Sequence, residues 1–212
     1  HFYPCIGGIE TFVKDLCLNL KNQGVESEVL CLDHCHGSKE KLSKTSEYEG
    51  IKITRIGFLN LKYYKPTFFS LSMLKEFDAI HVHNIGFFSD YILSTKFIHK
   101  KPVIVSTHGG IWHTKNISFL KKIYFNSLQK FLLNKAEVVI ADSLGDFELF
   151  SKKIKKTILL ENAVDFLRFP QIKRISFNEN FIYLGRLSRN KNILSLIKTF
   201  EVLCKVNPEI KL

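Results

Sequence analysis

The chain has 212 residues, 45% hydrophobic and 13% aromatic, with a formal net charge of +11. That length holds one large domain, or one domain and part of another, and the composition excludes a disordered chain. The charge points to an anionic partner (nucleotide phosphates, an anionic membrane or nucleic acid), and no run reaches the roughly 18 apolar residues of a membrane span.

The opening HFYPCIGG has no basic segment followed by an apolar one, so it does not read as a signal peptide. Five cysteines, Cys5, Cys17, Cys31, Cys35 and Cys204, are an odd number at irregular spacing. Free thiols in a reducing, cytoplasmic compartment are therefore expected, not a disulfide framework.

Pro4-Cys5-Ile6-Gly7-Gly8 is a Gly-bearing loop, and a helix follows at once. Ile9, Phe12, Val13, Leu16, Cys17 and Leu20 recur at helical spacing, and Gly24 closes the helix. Glycines let a ligand approach the backbone at a helix N-terminus, where unpaired N–H groups favour an anion. The spacing is not GxGxxG, so no nicotinamide cofactor is implied. Taken alone, the pair reads as a tight turn.

A strand is predicted over 28–32, a loop over 36–50, an alternating strand over 51–56 and a short helix over 67–76. Strands at 79–83, 102–106, 137–141 and 157–160 then alternate with helices at 87–99, 117–134 and 144–153. Such alternation predicts an α/β fold, a Rossmann-like, doubly wound and mostly parallel sheet. Ligands bind such sheets beyond the carboxyl ends of the strands. His83-Asn84, Thr107-His108-Gly109 and Asp142-Ser143 all fall there.

Residues 162–180, with Pro170 and little periodicity, read as a linker. A second series starts with the apolar run 181–184 as a strand. Gly185 permits a turn, and Arg186 and Lys191 sit five residues apart in a polar loop. Ile193, Leu194, Ile197 and Phe200 have helical spacing. Two cations at a helix start suit a diphosphate, although solvated loop cations have the same pattern.

His81 and His83 share one side of a strand, but with no third ligand evident they read as hydrogen-bonding histidines. Cys31, His34, Cys35 and His36 lack the second half of a zinc site. His108, with Gly109 and Gly110 leaving space beside it, is placed to hydrogen-bond a sugar hydroxyl or phosphate; the alternative is a loop histidine without a role. In helix 117–134, Ile117, Leu120, Tyr124, Leu128 and Phe131 form a stripe that Phe119, Ile123 and Phe125 widen. Lys115, Lys121, Lys122, Lys130 and Lys135 accompany it. The pattern fits a core helix with solvated lysines, the preferred reading, and also a basic amphipathic helix on an anionic leaflet.

Together these segments resemble the family-4 glycosyltransferases of GT-B architecture. The resemblance runs in order through FYPCIGGIETFVKDL, DAIHVHN, VSTHGG, VVIADS, ENAVDFLRF and FIYLGRLSRNKNILSLIKTF. It implies an N-terminal, acceptor-side Rossmann-like domain over 1–161 lacking its first strand. A linker over 162–180 and the start of a nucleotide-sugar-binding domain over 181–212 would follow. It also implies transfer of a sugar from a UDP- or GDP-type donor to a glycan or lipid-linked acceptor, with retention and without a metal or other cofactor. Gly7 and Gly8 would approach the donor phosphates, His108 would lie by the transferred sugar as the catalytic residue, and Arg186 and Lys191 would clamp the diphosphate.

The acidic E-x7-E motif of the family would lie beyond Leu212, so this fragment alone is not expected to turn over. Asn192 stands where the family often has Gly. The expected setting is cell-surface polysaccharide or glycolipid assembly in the cytoplasm, with peripheral contact to an anionic membrane. A non-catalytic basic module that binds an anion or nucleotide is the alternative. No nucleic-acid recognition motif is present.

Overall fold

The computed structural model describes residues 1–61, 64–109, 118–164, 180–185, 187 and 191–212, without the side chains of Ser118, Leu120 and Lys121. Arg186 and Gly110, singled out in the sequence, lie outside these residues, as do Ile117, Lys115 and most of the expected linker. The chain divides into two units, His1–Asn162 and Ala163–Leu212.

In the first unit, α1 spans Gly8–Asn22 and is followed by β1, Val29–Leu32. β2, Thr45–Tyr48, lies within the expected loop 36–50 and pairs antiparallel with β3, Ile51–Ile56. Its sequence, TSEY, has no apolar alternation; the strand forms because β3 offers an edge and Gly50, at φ +76°, turns the chain back. The order β1-β3-β2 makes a small sheet, over which Phe2, Cys17, Cys31, Ile51 and Ile53 close a core.

The second sheet is four-stranded and wholly parallel. β4, Ile80–His83, β5, Val103–Ser106, β6, Val138–Ala141, and β7, Thr157–Leu159, lie side by side in sequence order. This is the α/β, Rossmann-like architecture expected. The crossovers are helical: α2, Phe87–Ser94, with α3, Lys96–His99; α4, Ser118–Tyr124, with α5, Lys130–Leu133; and α6, Leu144–Ser151. Val82, Leu93, Val103, Val105, Phe125, Leu133, Val139 and Phe150 pack the core between sheet and helices. The register opposes His83 to Ser106, which brings the ends of β4 and β5 level.

The expected helix 117–134 is interrupted. Phe125–Gln129 is a π-helical segment between α4 and α5. The wider turn rotates the face that meets the core, so Phe125, Gln129, Leu132 and Leu133 are buried. Leu128 and Phe131, placed in the stripe by spacing, stay exposed with Phe119 and Ile123.

The cysteine expectation is corrected: Cys5 and Cys35 form a disulfide, and Cys17, Cys31 and Cys204 are free. The bond joins the Gly-bearing loop to the turn after β1, a tertiary proximity that spacing does not reveal.

In the second unit, α7 spans Ile193–Val206. The run 181–184 is not a strand. Phe181 donates its N–H to the Lys211 carbonyl, but Ile182 and Leu184 are 80% and 83% exposed. An apolar run becomes a strand only when a neighbouring strand accepts its ladder, and the described residues of this unit hold none.

Candidate active site

The carboxyl edge of the parallel sheet carries a hydrogen-bonded chain of side chains. Asp142, just past β6, places Oδ1 2.8 Å from the His108 backbone N–H and Oδ2 2.9 Å from His108 Nδ1. Thr107 Oγ1 lies 2.9 Å from Asp142 Oδ1 and 2.6 Å from Asp146 Oδ2, and the Gly109 N–H donates to Asp146 Oδ2 at 2.7 Å. The two carboxylates thus hold the turn that follows β5. That turn needs holding, because His108 adopts φ +44°, a left-handed conformation uncommon for a residue with a Cβ.

Asp142 is kept below the usual carboxylate range. Burial opposes its charge, but the Thr107 hydroxyl and the adjoining His108 ring outweigh it. An ionised Asp142 only accepts, so His108 Nδ1 carries the proton. His108 Nε2 is 3.1 Å from His83 Nδ1. In a neutral His108 ring Nε2 has only a lone pair, so His83 Nδ1–H is the donor. Burial, with the His81 and His108 rings beside it, pushes His83 down to about 3, which keeps it neutral at physiological pH. Burial and the His108 ring likewise push His81 down to about 4; its Nε2 is 2.9 Å from Ser106 Oγ. Among the described residues no three metal-ligating side chains converge.

Phe12 covers this chain. Its ring meets those of His83 and His108 edge-on, with centroids 5.9 and 5.5 Å away. Phe12 lies one turn beyond Gly8, the first residue of α1, so the helix start after Gly7 is carried to the same edge as His108. A Cβ at Gly8 would meet nothing within 4 Å, and one at Gly7 would meet only the end of the Glu10 side chain. Neither glycine has a positive φ. The fold of this chain therefore does not itself require glycine at either position.

In the second unit, Lys191 is exposed just before α7. Asn192 caps that helix at φ +49°. This left-handed geometry suits glycine, and Asn is among the residues that tolerate it best.

The sequence placed His83, His108 and Asp142 at strand ends, but it did not identify His83 or Asp142 as partners of His108. Their common signal is position at the carboxyl edge; the bonds among them follow from strand register.

Residues 6–165 match the profile of Glycosyltransferase Family 4. The chain belongs to that family. It is 31% identical over 215 residues to the GDP-mannose:cellobiosyl-diphosphopolyprenol alpha-mannosyltransferase of Xanthomonas oryzae pv. oryzae (strain PXO99A), which takes in 100% of this chain and 57% of the relative. The enzyme of the same name from Xanthomonas campestris is 31% identical with the same coverage. That of Komagataeibacter xylinus is 29% identical over 208 residues, covering 97% of this chain and 53% of the relative. The chain thus spans little more than half the length of these family-4 relatives. The family match takes in Gly7, Gly8, His83, His108 and Asp142.

Proposed function

We propose that the full-length protein is a retaining mannosyltransferase that takes its sugar from GDP-mannose and passes it to a glycan on a lipid diphosphate. The setting would be cell-surface polysaccharide or glycolipid assembly. The observation that carries this reading is the His83–His108–Asp142 chain beside the first turn of α1, in a sequence similar along its whole length to enzymes named for that reaction.

The departing GDP gathers negative charge at the transition state. Unpaired N–H groups after Gly7 and Gly8 stabilise that charge most there. The His83–His108 pair lies by the transferred mannose, with the His108 ring fixed by Asp142. No metal ion or other cofactor enters this reading.

The acceptor would be met at a membrane. No helix of the described residues is long and apolar enough to cross one. Phe119, Ile123, Leu128 and Phe131 nevertheless leave an exposed apolar face on α4, the π segment and α5, with Lys122 and Lys130 exposed beside it. Lys135 Nζ lies 4.6 Å from the Phe131 ring centroid. This face fits peripheral contact with an anionic cytoplasmic leaflet.

The test is transfer of radiolabelled mannose from GDP-mannose to a cellobiosyl-diphosphopolyprenol acceptor by the full-length protein. Labelled lipid is the expected product. Donor binding without transfer to this or other diphosphopolyprenyl glycans would favour a non-catalytic nucleotide-binding module instead.

A further inference from the structure

His108 is the residue that sequence reasoning places against the sugar, yet it is poorly exposed to one. Its side chain is only 4% exposed, and both ring nitrogens are engaged, Nδ1 by Asp142 and Nε2 by His83. His83 differs. It is half-buried at the end of β4, and one nitrogen is spoken for. Its Nε2 points away from His108 across the ring and makes no hydrogen bond among the described residues.

With the one ring proton of His108 on Nδ1, facing Asp142, the proton positions follow along the chain. Asp142 accepts from His108 Nδ1, and His108 Nε2 accepts from His83 Nδ1. His83 Nε2 is left with a lone pair. A neutral imidazole held between the rings of His81 and Phe12, at 4.1 and 5.9 Å, has little freedom to turn. A fixed lone pair at the ligand edge of a parallel sheet suits a hydroxyl donor.

We infer that His83 is the histidine that touches the ligand, accepting a hydroxyl of the donor's hexose at Nε2, and that His108 is a positioning residue that orients it. The inference rests on the glycosyltransferase reading, because it takes the ligand to be a nucleotide sugar. It reverses the roles first expected of the two histidines. Asp142 and His108 form the buried end of the relay, and His83 forms the working end.

Two substitutions separate contact from positioning. His83→Asn keeps an N–H near the place of Nδ1, so it preserves donation to His108 but removes the far nitrogen. His83→Gln carries an acceptor toward the place of Nε2 and gives up the bond to His108. The experiment is calorimetric titration of the full-length protein and both variants with GDP-mannose and, separately, with GDP. Melting temperatures are recorded alongside, and the wild-type His83 Nε2 shift is followed by 15N NMR.

His83→Asn is expected to bind GDP-mannose about three- to tenfold more weakly, with GDP affinity unchanged. His83→Gln should lie closer to wild type, and the Nε2 resonance should move on adding GDP-mannose but not GDP. Wild-type affinity in His83→Asn with a loss in His83→Gln would overturn the assignment and leave His83 a positioning residue. An Nε2 resonance unmoved by a GDP-mannose that binds would overturn it even if both variants failed to fold. A wild-type protein that binds neither ligand would remove the donor reading itself, and the assignment with it.

Discussion

Phe12 meets His108 edge-on with their ring centroids 5.5 Å apart, which fastens the first helix to the turn after β5. Gly8 is one turn, about 6 Å of helix rise, from that contact. A single diphosphate sugar is long enough to span the helix start and the histidine pair. On the proposed function, this arrangement would let a Gly-Gly loop and a histidine a hundred residues apart in the chain meet one ligand.

Gly8→Ala separates fold from function. Nothing lies within 4 Å of the added Cβ, and alanine favours a helix over glycine by up to about 1 kcal/mol. The melting temperature should stay level or rise slightly. The same methyl would meet a phosphate brought up to the backbone, so GDP-mannose affinity of the full-length protein should fall roughly tenfold or more. Calorimetry beside a thermal melt checks both outcomes.

Asp142→Asn removes the ionised acceptor that fixes His108. A hydrogen bond to a charged group contributes about 1.5–3 kcal/mol, so kcat/KM for mannosyl transfer should drop about 10- to 100-fold. The pH dependence follows in sign. The folded pKa of Asp142 is depressed, so its contribution to stability is present above the unfolded carboxylate pKa and is lost as pH falls through the folded value. The stability gap between wild type and Asp142→Asn, measured by urea unfolding, should therefore be constant near neutrality and close in acid.

Asp90 behaves in the opposite way. It is buried in the first turn of α2, and Tyr64 and Tyr124 both donate their hydroxyls to Oδ2, while Oδ1 has no hydrogen-bond partner among the described residues. Burial raises its pKa despite those bonds, and pushes both tyrosines up as well. The native state then holds more protons than the unfolded one, so this stability is present below the unfolded pKa and is lost as pH rises through the folded pKa. Asp90→Asn should flatten the decline in unfolding free energy as pH rises above the unfolded carboxylate value of about 4, as read by urea titrations at successive pH values.

Cys35→Ser opens the loop that the disulfide closes over a sequence separation of 30. On loop-closure entropy the bond contributes about 3–4 kcal/mol. Chemical denaturation of the oxidised wild type should exceed the variant by roughly that amount, and reductant should abolish the difference.

The sequence made much of this fold legible, because apolar runs such as VVIA and VIVS alternate with helices and so come to lie beside one another as parallel strands. TSEY escaped, since an edge strand on a small sheet needs no apolar alternation. FIYL misled for the reverse reason: its apolar pattern is right, but among the described residues no adjacent strand takes up the ladder. The α4–α5 region reads as one helix by spacing, and only packing reveals the π turn that buries Gln129 in place of Leu128. At the site, residue types and strand ends located the histidines and Asp142. Which of them bond to each other depends on the register of β4 against β5 and on the left-handed turn at His108, neither of which leaves a mark in composition or spacing.

The central claim is that this sheet edge holds a sugar nucleotide, and its most direct test is calorimetric titration of the full-length protein with GDP-mannose, wild type against His108→Ala. The account predicts saturable binding by the wild type and an affinity about tenfold or more lower in the variant, as its relay to His83 collapses. Equal affinities in two folded proteins, or no binding by the wild type, would contradict it.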